Sequence, residues 1–435
     1  MSHLLRRYTA RLPRHVDVTT RQIGIVSAGH ILRLALGLVS SALLARGLGP
    51  EGMSTFSVVS AAMMIAVTLS DFGLSHSAIR YIARDASINP ERARRTANAY
   101  ARMKLLGAGI VAGILVLAAG PVARLLRLPP EPGSTLLLLA ALGLLTAAFS
   151  GLVDTILRAL RRFKRSVLIQ LSNISLTVVL TAALYLSGRL DVIAALIVGA
   201  STALFAACIG LFLLPPPWRR VFRVARGSLN EEGRHLLTFS SWLWVSAILS
   251  IVFTQLDLLM LNSRMLPQIV GHYALALNLA FKADIVNQAM HAVLMPTVSA
   301  FSHRADYLAH LRRSLLRSGL LSLGLLAGLP LARPFILLFY GEPFAPSVGV
   351  FYALMSVILI DLLTIPLLLL AFPMNLPHLI VAADVLRILI LILISSITIP
   401  WLGIYGPVVA KFAAKLGGAL LLGGVVAGKL RGMPN

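Results

Sequence analysis

VIAALIVGASTALFAACIGLFLL, running from Val192 to Leu214, contains no charged side chain. The hydrocarbon core of a bilayer is about 30 Å thick, and about 20 apolar helical residues are needed to cross it. This stretch therefore reads as one transmembrane helix. Working outward from it, runs of similar length recur to both ends of the chain. Spans are expected near 22–46, 53–73, 103–123, 134–157, 166–188, 192–214, 236–261, 269–298, 314–340, 346–371, 377–399 and 404–428. The whole chain of 435 residues is 58% hydrophobic and only 13% charged, with a mean hydropathy of +0.86, which excludes an ordinary soluble domain.

The formal net charge of +23 would suggest nucleic acid in a soluble protein. Its distribution argues otherwise. Taking the termini and the gaps between spans in order, the basic residues gather in the N-terminal tail, in every second gap and at the C-terminus. One side holds 28 Lys and Arg, from Arg6 and Arg7 through Arg158–Arg165 and Arg219–Arg234 to Lys429 and Arg431; the other holds six, among them Arg46, Arg189 and Arg264. By the positive-inside rule both termini are expected in the cytoplasm. The tail Ser2–Arg14 interleaves Leu4, Leu5, Tyr8 and Leu12 with arginines and reads as an interfacial helix on anionic lipid. No cleavable signal peptide is expected there. Asn89-Pro90-Glu91 reads as a helix start, opening a second surface helix over Pro90–Ala101. Cys208 is the only cysteine, so no intrachain disulfide is available.

Two places 217 residues apart share a pattern: Leu48-Gly49-Pro50-Glu51-Gly52-Met53-Ser54-Thr55-Phe56 and Met265-Leu266-Pro267-Gln268-Ile269-Val270-Gly271-His272-Tyr273. In each, a short turn holds Pro, an aromatic follows six residues later, and a span of small residues begins. Six spans separate the copies, so they point the same way and form parallel repeats about an axis along the membrane normal. The expected architecture is an all-α polytopic membrane protein of about 12 transmembrane helices, in two parallel six-helix lobes around a central cavity. The N-terminal lobe is 1–214, a basic linker is 215–234, and the C-terminal lobe is 235–435.

Leu43-Leu44-Ala45-Arg46-Gly47-Leu48-Gly49-Pro50-Glu51-Gly52, followed by Asp71-Phe72-Gly73-Leu74 and Ile79-Arg80-Tyr81-Ile82-Ala83, resembles the opening of the polysaccharide-type flippases. These belong to the multidrug/oligosaccharidyl-lipid/polysaccharide (MOP) exporter superfamily. The second lobe is similar too, in Thr254-Gln255-Leu256-Asp257, Gly271-His272-Tyr273-Ala274-Leu275-Ala276 and Pro296-Thr297-Val298-Ser299. Residues 300–435 match in hydropathy alone, and the expected twelve spans differ from the fourteen usual in lipid II flippases of the superfamily. The resemblance implies a transport cavity lined largely by spans one, two, seven and eight, with cations recurrent in it.

No Walker A loop, His-Glu-x-x-His motif or cysteine pair for zinc occurs, and no gap is long enough for a soluble catalytic domain. Neither an enzyme nor a cofactor or metal site is expected. What remains is charge within the spans: Arg33, Lys282, Arg387, Lys411 and Lys415 against Asp284, Asp361 and Asp384. Each costs about 2.5–3.5 kcal/mol at a helix centre on insertion scales, so each must face protein or a wet cavity. Arg33 shares a helical face with His30, Gly37 and Ser41, and Lys282 shares one with Asn278. Arg33, His30, Lys282 and Asn278 are the candidate substrate-binding residues.

Asp284, Gln288 and His291 fall on nearly the opposite face of span eight, and both faces cannot see the same cavity. Asp257, with only Arg264 near it in sequence, joins Asp284 and His291 as a candidate for ion coupling. Asp384 and Arg387 are expected to neutralise one another at i, i+3. Lys411 and Lys415 need an acid such as Asp361 between them. Asp71 and Asp154 are expected in salt bridges to loop arginines, and Trp242 and Trp244 at the membrane interface.

The functional expectation is a bacterial inner-membrane flippase for a polyprenyl-(pyro)phosphate-linked saccharide, working by alternating access. Its partners would be that substrate, anionic lipid and glycan polymerase or glycosyltransferases, and not nucleic acid. The alternatives are an ion-coupled multidrug or small-molecule exporter of the same superfamily and a non-transporting scaffold of a glycan assembly complex.

Overall fold

The computed structural model describes residues 14–219, 231–298, 304–371, 374 and 377–431. Within these, the side chains of 14–26 and of a few other positions, Trp242 and His291 among them, lie outside the description, as do the expected tail helix and most of the basic linker. Helices make up the regular structure throughout the described residues. Ten helical stretches are long and apolar enough to cross a membrane, and two of them, Ser27–Asp71 and Leu379–Lys429, are long enough to cross twice. The chain is thus a polytopic membrane protein, with about twelve spans among the described residues.

The first double stretch turns at Gly49, whose φ of 65° and ψ of −178° lie outside the helical region. Glycine adopts that backbone without a Cβ penalty, and Pro50, with no N–H to leave unpaired, opens the next helix. Pro267 does the same for span eight, over Pro267–Ala283, after the turn that follows the helix Glu231–Asn262. Asn89 caps the helix Pro90–Leu117, its side chain accepting from the Arg92 N–H at 3.0 Å. The surface helix expected at Pro90–Ala101 does not end there. With no Gly or Pro from Glu91 to Leu106, it runs unbroken into span three.

Spans one to six pack among themselves. Span one lies on Phe163–Leu186, and Pro130–Ala159 lies on both Val192–Leu213 and span three. In the second group, Pro377–Leu402 and Gly406–Arg431 form a long hairpin that packs on span seven and on Ser347–Leu369. The two groups meet chiefly through spans one and two, which pack against spans seven and eight. Val58 and Ala61 of span two are buried with Leu258, Val270, Tyr273 and Leu354 of the second group in one apolar core.

Near the Pro50 turn the seam is tightest. A Cβ on Gly271 would stand 1.8 Å from the Pro50 carbonyl oxygen, so only glycine fits. Glu51 accepts from Gln268 at 2.8 Å, and Arg46 donates to the Phe339 carbonyl at 2.9 Å, at the end of the helix Ala332–Tyr340. At the basic ends of the spans, Trp244 stacks on Phe72 at 5.0 Å and donates to the Leu69 carbonyl at 3.3 Å. Trp244, expected at the membrane interface, makes a contact between the two groups of spans.

Candidate functional site

Span eight does not continue as one helix. It breaks at Asp284, between Pro267–Ala283 and Ile285–Val298. Gln288 faces the same space as Asn278 and Lys282, on the helical face that it shares with Phe281 and Ile285. The expectation that Asp284 and Gln288 look away from Lys282 is corrected for Gln288, whereas Asp284 lines a neighbouring cavity.

That space is a cavity of about 570 Å³ between spans one, five and eight. His30 and Arg33 enter from span one, Gln170 and Asn173 from span five, and Asn278, Lys282 and Gln288 from span eight. All four residues singled out for substrate binding therefore stand around one cavity, His30 and Arg33 in the half of span one nearest the basic tail and Asn278 and Lys282 near the middle of span eight. A second cavity of about 690 Å³ adjoins it, sharing Arg33, Phe281 and Gln288, and reaches Asp284, Asp361, Asp384, Arg387, Lys411 and Lys415.

The ion pairs sort the basic residues at depth into two classes. Lys411 lies 2.5 Å from Asp257, Lys415 lies 2.8 Å from Asp361, and Arg387 lies 2.9 Å from Asp384. Arg33 and Lys282 have no carboxylate within 4.0 Å among the described residues. Arg33 donates instead to the Gln170 amide oxygen at 2.8 Å. Lys282 donates to Asn278 and, at 3.5 Å, to Ser41 across the seam. These two cations, one from each group of spans, keep their charge for the cavity.

Three expectations about the acids change. Asp257 is fully buried, and it is Lys411, not Arg264, that stands beside it; Tyr273 donates to the same carboxylate oxygen. Arg264 donates to the Ser396 carbonyl. Lys411 and Lys415 do not share one acid; each has its own, which removes the like-charge conflict of an i, i+4 pair. Asp71 pairs with Lys104 at 2.5 Å, not with an arginine, while Asp154 pairs with Arg158 at 2.7 Å, as expected. Asp284 accepts from Asn287 at 2.8 Å and lines the second cavity. The His291 side chain is outside the described residues.

Gln170 and Asn173 are cavity residues that the reading for charge at depth passes over. A signal was present: Gln170, Asn173 and Thr177 recur at i, i+3 and i+7 in an otherwise apolar span, which makes a polar stripe. Among the described residues no cluster of three or more metal-ligating side chains occurs.

About twelve spans in two groups around a cationic cavity define a membrane transporter architecture, and comparison bears on its class. An inward-facing multidrug resistance MATE family transporter of the MOP superfamily superposes with a TM-score of 0.70 at 14% identity, over 92% of this chain and 95% of that one. The lipid II flippase MurJ in an inward closed conformation gives 0.72 at 12% identity, over 92% and 87%. An outward-facing MATE family transporter gives 0.60 at 14% identity, over 94% and 96%. The fold is that of the MOP superfamily. Residues 19–302 match the polysaccharide biosynthesis protein family, and the chain belongs to that family. No curated protein matches it.

Proposed function

We propose that this protein moves a polyprenyl-(pyro)phosphate-linked saccharide from the cytoplasmic to the periplasmic leaflet of a bacterial inner membrane, for cell-surface polysaccharide synthesis. The observation that carries this is the pairing pattern: Arg33 and Lys282 are the two basic residues at depth with no acid beside them, and both line one cavity. The physical problem is to pass a phosphate and a polar glycan through hydrocarbon while the polyprenyl tail stays in lipid. A unit anion 4 Å from a unit cation gains about 4 kcal/mol at an effective dielectric of about 20. Arg33 adds a planar fork suited to phosphate oxygens, and Lys282 a compact second charge. Asn173, Asn278 and Gln288 supply neutral hydrogen-bonding groups of the kind a sugar needs.

Rocking of the two groups of spans about the seam would expose the cavity to each side in turn. Membership of the polysaccharide biosynthesis family and the fold shared with a lipid II flippase support the substrate class. The second cavity keeps an ion-coupled exporter of small cations in view as the rival, because Asp284 stands there with no cation within 4.0 Å. Asp361 and Asp384 are both already neutralised, which weighs against a cavity built for cationic drugs.

The test is Arg33→Glu in a strain lacking the native gene, with glycan export and protein level measured together. Lost export at normal protein level is expected, with partial activity for Arg33→Lys. Normal export by a well-expressed Arg33→Glu protein would overturn the reading.

A further inference from the structure

Arg33 is two side chains away from a carboxylate. Asp154 of span four lies behind Gln170, and Gln170 touches both. We propose that Gln170 is a positioning residue whose neutral amide holds Arg33 at the cavity and keeps Asp154 from cancelling its charge. This rests on the reading of Arg33 as a phosphate-holding residue and names the group that maintains it.

The polarity of the amide is dictated from both sides. Its Oε1 accepts from Arg33 Nη1 at 2.8 Å. Its Nε2 faces the two oxygens of Asp154 at 3.5 Å each and Ser166 Oγ at 3.4 Å. An acceptor toward the cation and a donor toward the anion is the arrangement that both neighbours favour, and reversing the amide would set like against like at both ends. Asp154 is satisfied on its far side, by Arg158 at 2.7 Å and by the Ser166 hydroxyl, so its charge is compensated away from the cavity. Gln170 occupies one of the five N–H donors of the guanidinium and leaves the fork available to an anion. Both Arg33 and Gln170 line the 570 Å³ cavity.

A carboxylate in place of this amide would sit on Arg33 at hydrogen-bond distance and neutralise it. Gln170→Glu therefore separates charge from shape. In its protonated form the new carboxyl keeps an acceptor for Arg33 and a donor for Asp154; in its ionised form it forms a salt bridge with Arg33. The charged and titratable groups around it are Arg33 and His30 on span one, Asp154 and Arg158 on span four and Lys282 across the cavity.

The full-length protein in lipid nanodiscs would be titrated with a long-chain polyprenyl pyrophosphate at pH 8, where a carboxyl beside a guanidinium is ionised. Gln170→Glu is expected to bind about tenfold more weakly than wild type. Gln170→Met, close in size and neutral, is expected to lose less, since it brings no charge to Arg33. Wild-type affinity in Gln170→Glu, or an equal loss in both variants, overturns the proposal in favour of a purely structural amide.

The double variant Gln170→Glu with Asp154→Asn moves the carboxylate onto span five without changing the charge of the network, and it serves if the single variant does not fold. It is expected to bind about tenfold more weakly at pH 8, and wild-type affinity would overturn the proposal. Arg33→Met is the separate arm for the underlying reading. If it binds the probe as wild type does, the phosphate assignment fails; if it weakens binding while Gln170→Glu changes nothing, the role of Gln170 alone fails.

Discussion

Glu51 accepts a hydrogen bond from Gln268 at 2.8 Å, and the two residues are 217 positions apart, the same offset that separates the two copies of the Pro-containing turn. Equivalent residues of two repeats meet only near the axis that relates them. If the two halves are parallel repeats, a pseudo-twofold axis runs through this contact, beside Pro50 and Gly271. In the cycle proposed above these residues would part, while the cavity lined by Arg33 and Lys282 lies farther along the spans, toward the basic loops.

Gly271 is the most sensitive point of the seam. A methyl group there would stand 1.8 Å from the Pro50 oxygen, well inside any allowed contact. Gly271→Ala should push spans two and eight apart and shift the population toward the state open at this seam. Labelling of a cysteine placed at Gln268 by a membrane-impermeant maleimide should increase, in a Cys208→Ser background. Unchanged labelling would show that the seam yields elsewhere.

The buried pair Lys411–Asp257 should act as a fastener of the second group of spans. Asp257 is fully buried and Lys411 nearly so, with Tyr273 on the same carboxylate. Removing one partner leaves an uncompensated buried charge, which costs about 3–5 kcal/mol. Asp257→Asn or Lys411→Met alone should lower thermal stability in detergent sharply, and the double variant should recover much of the loss. Two single variants as stable as wild type would contradict this assignment.

Topology follows from the charge distribution. Reporter fusions at Glu131, Asp191 and Glu342 should read periplasmic, and fusions after Arg165, Arg226 and Arg313 cytoplasmic. An outside reading at Arg226 would break the even span count of the first lobe and with it the parallel-repeat argument.

The spans were legible because a bilayer imposes their length, and the starts of spans two and eight because Gly49-Pro50 and the Pro267 turn mark where a helix must restart. His30, Arg33, Asn278 and Lys282 stood out because polar groups at depth are costly and few. The partner of Asp257 did not, since Lys411 is 154 residues away and nothing in either helix states how the two are rotated against each other. The break at Asp284 was hidden as well, since Phe281-Lys282-Ala283-Asp284-Ile285 contains neither Gly nor Pro to announce it. Gln170 was overlooked because a neutral amide does not register in a search for charge, although its function depends on that neutrality.

The central claim is that the unpaired cations of the cavity carry an anionic lipid-linked saccharide. It is tested most directly by translocation of a polyprenyl-pyrophosphate-linked saccharide in proteoliposomes, with the purified protein as wild type, Arg33→Glu and Lys282→Glu. Reversing a charge near the phosphate converts an attraction of about 4 kcal/mol into a repulsion of similar size. Both variants, folded and reconstituted at equal density, should translocate the substrate no faster than empty liposomes. Translocation at the wild-type rate by either variant would contradict the account.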